Sequence, residues 1–473
     1  MDKVVGSAAE AVADVGDGAA IMIGGFGVIQ GWPASLLRAL REHGSRDLTL
    51  ICNTPGVGPT STQPLAENGQ VRKLIASYAA YPTQRTSIEE KIKRGEIEIE
   101  LVPQGTLIER VRAGGAGFAG FYTTTGIGTA MAEGKEHREF DGRTYIFEKA
   151  LRADFAFVRA ARADRSGNLV YRGGGRNYNP ILATGARVTI AEVDEIVPTG
   201  EIPAETVVTS GVFVNRVVAC EAPLDRNRIR ELSQRYGKKW DLEVRERPSG
   251  PRGIPPDLMA RKAAVLLRKG EYVNLGLGIP TLVSSHVEAE QGITLHSENG
   301  MVGFGPLAAD GQGDVDLYNA SGQLVTLLEG ASFADSCTAF AMVRSGRVST
   351  VVLGGFQVSA KGDLANWNVP ATGVGGIGGA MDLASGDARI IVVMFHLTRD
   401  GKPKLVERCD YPLTAPRCVS TVVTDLAVID VDEQGFLLRE IAPGVSADDV
   451  RSATGAPLRV AADVRDMSFE WAG

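Results

Sequence analysis

Several features that define other protein classes are scarce in this chain of 473 residues. It contains five cysteines, no two of which form a C-x-x-C pair, so neither a disulfide framework nor a common zinc or dithiol motif is indicated. The five histidines are dispersed without an H-E-x-x-H motif, and we expect no metal site. Scattered cysteines and an N-terminus without signal or transit features together predict a reduced, cytoplasmic setting.

Long apolar runs and basic tracts are also missing. The run Ile390–Phe395 is one of the longest, and it is far shorter than the roughly 20 residues with which a helix crosses a bilayer. Lys and Arg total 50 and Asp and Glu total 57, with both signs dispersed, which gives a formal net charge of −7. The sequence therefore predicts neither a membrane nor a nucleic-acid partner.

Glycine, in contrast, is abundant. It accounts for 57 of the 473 residues, about 12% against an average of about 7%. Glycine permits positive φ and close approach to the backbone, so many tight turns or ligand-facing segments are expected. Short β-branched runs alternate with helical patterns, for example Ala19–Ile23, Pro33–Glu42 and Leu48–Cys52. This alternation is typical of βαβ units and predicts an α/β fold with mostly parallel sheets.

One composition break divides the chain. Within Lys238–Pro256 charges cluster, apolar periodicity stops, and four prolines and two glycines occur in the last nine residues. We therefore predict an interdomain linker at 238–256, between an N-terminal domain at 1–237 and a C-terminal domain at 257–473. Asp257 is predicted to cap a helix over Leu258–Leu267.

The two predicted domains share a local pattern. Asp17–Leu37 and Lys269–Val287 both have a turn with glycine, an apolar strand, a glycine-rich turn, a proline and an amphipathic helix. This weak internal repeat indicates two tandem open α/β domains of related design. The alternative is that any two βα units look alike at this level.

The first glycine-rich turn, Gly24–Gly31, follows a predicted strand and opens a helix, which is where a phosphate loop would lie. Its G-x-G-x-x-x-G spacing differs from the dinucleotide form. The next strand ends at Cys52-Asn53-Thr54 without an acidic residue for a ribose, which argues against NAD. A G-x-G-x-x-G at Gly373–Gly378 follows no predicted strand and is a weak signal.

The second candidate is Glu298, within His296-Ser297-Glu298-Asn299-Gly300 after the predicted strand Ile293–Leu295. Open α/β sheets place ligand-binding residues at the carboxyl ends of strands. An isolated glutamate is more often a solvated turn residue, but the adjacent glycines would let a bulky substrate approach the backbone. For His296 a structural or substrate-shaping role is favoured over catalysis.

Stretches that match a known family occur in order along nearly the whole chain. They are Asp17–Phe26, Gly31-Trp32-Pro33, Pro103–Thr106, Arg112–Gly117, Phe121–Thr123, Asn274–Gly276, Ser297–Pro306, Lys361–Trp367 and Gly378–Leu383. On these stretches the sequence resembles the class I CoA-transferases of the 3-oxoacid type. The resemblance implies that the two halves correspond to α and β subunits, fused here through the linker.

The resemblance also implies an activity. Glu298 matches the family nucleophile, which takes CoA from an acyl-CoA and passes it to a carboxylic acid in ping-pong fashion through a glutamyl-CoA thioester. The expected acceptor is a 3-oxo or a dicarboxylic acid. Acyl-CoA and small carboxylic acids are then the partners, CoA is a substrate, no permanently bound cofactor is needed, and a homodimer is expected. A glutamate with an ordinary pKa of about 4.3 is already ionised at neutral pH and needs no general base.

Further site residues follow from the same resemblance. Those expected to stabilise the oxyanion and position the substrate are Gly379, Ala380, Gln104 and Asn53. Those expected to contact CoA are Asn274, Gly276, Gly300 and Gly378.

The chain departs from the family pattern at several positions. Ser321-Gly322 stands where the family commonly has Gly-Lys, and Gly27–Gln30 contains one extra residue. These departures leave Glu298 intact but leave the donor and acceptor acids open. Two alternatives are an acyl-CoA hydrolase on the same fold and a non-catalytic nucleotide-binding module. The complete Glu-Asn-Gly motif favours transfer over both.

Overall fold

The computed structural model describes residues 1–27, 31–58, 60–79, 85–221, 226–237, 253–309, 311–370 and 373–471. Within these ranges the chain forms two large sheets, one in each half, with helices packed against them. The predicted α/β class with two tandem, mostly parallel sheets is confirmed.

The N-terminal half surrounds a parallel sheet. Its helices are α1 (Ala8–Ala11), α2 (Ala34–His43), α3 (Gln63–Glu67), α4 (Ser87–Lys93), α5 (Gln104–Gly115), α6 (Asn179–Leu182) and α7 (Arg226–Gly237). Its strands are β1 (Ala20–Ile23), β2 (Leu48–Cys52), β3 (Val71–Ala76), β4 (Glu98–Leu101), β5 (Gly120–Thr123), β6 (His137–Phe140), β7 (Arg143–Lys149), β8 (Ala153–Asp164), β9 (Leu169–Val170), β10 (Ala186–Val197) and β11 (Arg216–Ala219).

The strand order of this sheet is β11-β10-β8-β1-β2-β3-β4, with every neighbouring pair parallel and β9 added antiparallel to β8. The apolar strands β1 and β2 are almost wholly buried. Such burial on both faces is what a parallel sheet covered by helices requires. Strands β5, β7 and β6 form a separate small antiparallel sheet.

The C-terminal half contains a longer sheet of mixed direction. Its helices are α8 (Pro256–Val265), α9 (Ser336–Arg344), α10 (Ala380–Leu383) and α11 (Ala447–Ala453). Its strands are β12 (Tyr272–Leu275), β13 (Thr294–His296), β14 (Met301–Leu307), β15 (Val325–Phe333), β16 (Thr350–Leu353), β17 (Gln357–Ser359), β18 (Leu364–Ala365), β19 (Arg389–Val393), β20 (Leu405–Val406), β21 (Val419–Val423), β22 (Ala427–Asp432), β23 (Gly435–Ile441) and β24 (Leu458–Asp466).

The order of this sheet is β15-β14-β13-β12-β16-β19-β21-β22-β23-β24. The centre from β13 to β21 is parallel, and antiparallel strands flank it on both sides. The last pair, β23 and β24, is again parallel. Strands β18, β17 and β20 form a second small sheet.

The predicted domains 1–237 and 257–473 each contain one of the large sheets. Residues 238–252 of the predicted linker at 238–256 lie outside the described residues. The domain boundaries therefore stay a prediction.

Helix α8 begins two residues earlier than the sequence indicated. It starts at Pro256, and Pro255 is its N-cap without a side-chain hydrogen bond. Proline suits the first helical position because its φ is already helical and its missing N–H would have no partner there. Asp257 is thus not the cap; it lies in the first turn and pairs with His286 Nε2 at 2.8 Å.

The two halves share a hydrophobic core. Phe26 and Tyr178 of the N-terminal half pack in one cluster with Tyr318, Leu324 and Cys337 of the C-terminal half. The ring centroid of Phe26 lies 6.5 Å from that of Tyr178 and 6.3 Å from that of Tyr318. Burial across this boundary fixes the two sheets relative to each other.

Candidate active site

Glu298 lies in the tight turn that connects β13 to β14. The turn is closed by hydrogen bonds from Ser297 N–H to Met301 O at 2.8 Å and from Gly300 N–H to Ser297 O at 2.9 Å. Asn299 Nδ2 donates to Tyr318 O at 2.8 Å and ties the turn to the following loop. The glutamate therefore follows the end of a central strand, as the sequence predicted.

Gly300 makes this turn possible. Its φ is +100°, a conformation that side-chain-bearing residues rarely adopt. A Cβ at this position would lie 1.9 Å from Ala334 O, and Ala334 N–H also donates to Gly300 O at 2.8 Å. The backbone after Glu298 is therefore pressed against the segment that leads into α9, and only glycine fits.

The Glu298 side chain is 8% exposed and lies against the backbone of Gly379. A Cβ on Gly379 would approach Glu298 Oε2 to 2.3 Å and the Phe340 ring to 2.9 Å. Burial first, and the charge of Asp382 second, raise the pKa of Glu298 to about 7. The expectation of an ordinary pKa is wrong because it ignored burial, and at neutral pH Glu298 of the free enzyme is only partly ionised.

Gly378 and Gly379 come from the C-terminal half but are held by the N-terminal half. Gly378 N–H donates to Ser77 O at 3.0 Å, and Gln104 N–H donates to Gly378 O at 2.9 Å. Gly379 is the N-cap of α10, whose first residue is Ala380. The last residue of the G-x-G-x-x-G motif at Gly373–Gly378 thus binds the N-terminal half.

Gln104 and Asn53 approach from the N-terminal side. Gln104 begins α5, is 3% exposed, and its carbonyl accepts a hydrogen bond from Tyr178 Oη at 2.7 Å. Asn53 follows β2, and its carbonyl accepts from Ser77 N–H at 3.0 Å. Its buried Oδ1 finds no hydrogen-bond partner within the described ranges. The contacts link Asn53 to Gly378 through Ser77.

Asn274 supports the strand that carries the turn. Its Nδ2 donates to His296 Nδ1 at 2.9 Å, and both residues are almost fully buried. Burial lowers the pKa of His296 to about 4, so the ring is neutral. This agrees with the structural role preferred for His296. Gly276 follows β12, and its N–H donates to Val352 O at 2.8 Å.

The first glycine-rich turn has a structural use. A Cβ on Gly24 would lie 1.9 Å from Asn179 Oδ1, so close packing requires glycine there. The following helix α2 has its N-terminus filled by Glu192, which accepts from Ser35 N–H at 2.8 Å and Leu36 N–H at 3.1 Å. Arg159 pairs with the same carboxylate. An internal anion thus takes the place that a phosphate would need.

The two departures from the family pattern differ in what the structure shows. Ser321 Oγ accepts a hydrogen bond from Gly278 N–H at 3.3 Å, beside the loop that follows β12. The extra residue falls in Gly27–Gln30, of which 28–30 lie outside the described residues.

Sequence reasoning missed Asp382, a fully buried residue of α10. Its carboxylate accepts hydrogen bonds from Gly105 N–H at 2.7 Å and Thr106 Oγ1 at 2.9 Å. An acidic residue in the otherwise apolar segment Ala380–Leu383 was the available signal. It gave no indication of contact with the other half of the chain.

Within the described ranges, no group of three or more His, Cys, Asp or Glu side chains is arranged to bind a metal ion. None of the helices described has both the length and the apolar character to cross a bilayer.

Replacement of Gly300 by alanine is expected to displace the Glu298 turn. Gly330→Ala is a matched control, because Gly330 also has positive φ, +80°, but open space around it. The control should lose about 1–2 kcal/mol of unfolding free energy from backbone strain, and Gly300→Ala should lose more because of its overlap with Ala334 O. Chemical denaturation measures both, and equal losses would contradict the steric argument.

Comparison with known proteins identifies the family. The family model described as "Coenzyme A transferase" matches residues 5–220 and 258–453. The "Succinyl-CoA:3-ketoacid coenzyme A transferase 2, mitochondrial" of Homo sapiens is 40% identical over 97% of this chain and 90% of its own length. A Bacillus subtilis protein named as one subunit of a probable succinyl-CoA:3-ketoacid coenzyme A transferase is 44% identical over 50% of this chain and 98% of its own length.

A solved structure has the same fold. The thioester complex with CoA of the acyl-CoA transferase YdiF from E. coli O157:H7 aligns with a TM-score of 0.78 and 21% identity, over 99% of this chain and 96% of that one.

The comparisons also correct one expectation. The human relative and those of mouse and rat, which match 97% of this chain, are named as mitochondrial proteins. The predicted cytoplasmic location is therefore wrong; cysteine usage reports redox conditions and does not identify a compartment.

The chain belongs to the coenzyme A transferase family, with the regions matching its α-type and β-type halves in one polypeptide.

Proposed function

We propose that this CoA-transferase uses Glu298 as its nucleophile and forms a glutamyl-CoA thioester during each turnover. The observation that carries this proposal is the buried Glu298 carboxylate, held by a rigid turn against the backbone of Gly379 at the junction of the two halves. The relatives named as succinyl-CoA:3-ketoacid transferases support succinyl-CoA as donor and a 3-oxoacid as acceptor.

The reaction needs no redox partner. The Glu298 carboxylate attacks the thioester carbonyl of the donor and the C–S bond breaks. CoA departs as the thiolate, and an acyl-glutamyl anhydride is formed. The thiolate then attacks the glutamyl carbonyl, forms the glutamyl-CoA thioester and releases the donor acid as a carboxylate. The acceptor carboxylate repeats the two steps in reverse order. The protein contributes alignment and stabilisation of each tetrahedral oxyanion.

The backbone N–H groups of Gly379 and Ala380 are suited to stabilise the tetrahedral oxyanion. Gly379 and Ala380 stand at the start of α10, where helical N–H groups lack intrahelical acceptors. Within the described residues neither N–H donates to another backbone group. Gly379 lies against the Glu298 carboxylate and Ala380 is the next residue, which supports a role of their N–H groups as oxyanion donors. Such a donor commonly contributes about 10²–10³ in rate.

The remaining supporting residues have distinct parts in the proposal. The unpartnered Oδ1 of Asn53 and the side chain of Gln104 would orient the acyl group from the N-terminal side. Asn274, with Gly276 and Gly300, would shape the β12 and β13 ends that CoA approaches. Gly322 stands at the position of the expected lysine, so that contact with CoA would lack a positive charge here. A homodimer stays a prediction.

The proposed intermediate can be detected as a covalent adduct. Incubation with acyl-CoA and no acceptor should add CoA to the wild-type chain, and peptide mapping should locate it at Glu298. Glu298→Ala should form no adduct and lose transferase activity, whereas Glu329→Ala, a change at an exposed glutamate, should keep both. Intact-protein mass spectrometry measures this result. Transfer at the wild-type rate by Glu298→Ala would refute the assignment, and acceptor-independent thiol release without adduct would favour hydrolysis.

The raised pKa of Glu298 predicts an acid limb in the pH profile. Only the ionised carboxylate attacks, and its pKa in the free enzyme is about 7. The kcat/KM for acetyl-CoA should therefore fall tenfold per pH unit well below neutrality, since kcat/KM reports the free enzyme. Acetyl-CoA has no titrating acyl carboxylate, so its acyl group adds no ionisation to the profile. A midpoint near the ordinary value of about 4.3 would contradict the burial argument.

A further inference from the structure

Asp382 belongs to the C-terminal half, but its carboxylate binds the N-terminal half. Oδ2 accepts from Gly105 N–H at 2.7 Å, and Oδ1 accepts from Thr106 Oγ1 at 2.9 Å and Thr125 Oγ1 at 3.3 Å. The side chain is fully buried. A buried carboxylate with three donors from another part of the chain fixes the two parts together.

The contact completes helix α5. This helix begins after Pro103, which provides no side-chain cap, so its first N–H groups need acceptors from elsewhere. Asp382 supplies one for Gly105, and its negative charge matches the positive end of the helix dipole. The start of α5 is therefore stabilised from the opposite half of the chain.

The same short stretch of α5 also holds the backbone beside Glu298. Gln104 N–H donates to Gly378 O, and the next residue binds Asp382. Gly378 and Asp382 are four residues apart, and Gly379 lies between them against Glu298. Two anchor points on one helix start thus determine where the intervening backbone lies.

Phe340 fills the space between these groups. A Cβ on Gly105 would lie 2.6 Å from its ring, and a Cβ on Gly379 would lie 2.9 Å from it. Gly105 is also close to Asp382, whose Cγ would be 2.8 Å from the added Cβ. The packing leaves no room for this backbone to shift if the carboxylate anchor is kept.

Charged and titratable groups from several elements face Asp382. Arg344 of α9 faces it at 3.8 Å and also contacts Glu109 of α5 at 3.4 Å. Tyr178 and Glu298 also lie within its electrostatic reach. Burial raises the pKa of Asp382, while Arg344 and the hydrogen-bond donors lower it.

We propose that Asp382 is a positioning residue for the transferase reaction. It joins α5 to α10 and thereby determines the distance of the Gly379 and Ala380 N–H groups from Glu298. Its charge also disfavours ionisation of Glu298 in the free enzyme. This inference rests on the proposed function of Glu298. Asp382 itself touches no reacting atom; it acts through the backbone and through its field.

Two variants separate position from charge. Asp382→Asn removes the charge and places an amide against N–H and O–H donors, so kcat should fall by about 10²–10³. KM for acyl-CoA should change less than about threefold, and the acid midpoint of kcat/KM should move to lower pH because Glu298 loses a negative neighbour. The double variant Thr106→Val with Thr125→Val removes two hydrogen bonds to Asp382 but keeps its charge. The kcat should therefore fall about tenfold, while the acid midpoint of kcat/KM should stay unchanged.

Asp387→Asn is the matched control, an exposed aspartate just beyond α10 that should leave every parameter unchanged. If Asp382→Asn keeps the wild-type kcat and midpoint, or loses kcat without a shift of the midpoint, the inference is overturned. If Asp382→Asn does not fold, judged by circular dichroism, the double threonine variant decides alone, and a wild-type kcat overturns the inference. The adduct at Glu298 in the wild type is measured separately, so its absence would refute the proposed function instead.

Discussion

The docking of the Gly378–Gly379 backbone between Ser77 and Gln104 is the contact on which the site depends. Neither half contains all of the proposed centre, since Glu298 and its neighbouring backbone come from one half and the groups that hold that backbone come from the other. The shared core around Phe26 keeps the two sheets in register with this contact. A rotation between the halves would break the hydrogen bonds that join Gly378 to Ser77 and Gln104.

The centre also imposes a cost on the folded chain. A glutamate whose pKa rises to about 7 on folding is destabilised when ionised, by on the order of 3 kcal/mol. The folded state holds this proton more tightly than the unfolded state, so stability falls as pH rises from about 4.3 towards 7 and is lower by a constant amount above that. The turn around Gly300 and the packing of Phe340 hold the carboxylate in place against this penalty. In the proposed mechanism, activity and stability therefore oppose each other at Glu298.

Local patterns predicted the parts of the structure that local physics decides. The alternation around Ala19–Cys52 predicted parallel strands, and the predicted strand Ile293–Leu295 placed Glu298 just after the end of a strand. The pKa of Glu298 could not be predicted, because it depends on burial beneath residues from distant parts of the chain. For the same reason Asp382 was missed. Glu192, which fills the N-terminus of α2, lies 157 positions from Ser35, and no spacing rule connects them.

Covalent connection has a physical consequence for a site of this kind. The Bacillus subtilis relative that spans one half of this chain is named as one subunit of its enzyme. In general, halves on separate polypeptides have to associate from solution. In this chain the two halves belong to one polypeptide, so their association is intramolecular and does not depend on protein concentration. The junction can then be held by few direct polar contacts, such as those of Asp382 and Gly378, and still remain assembled.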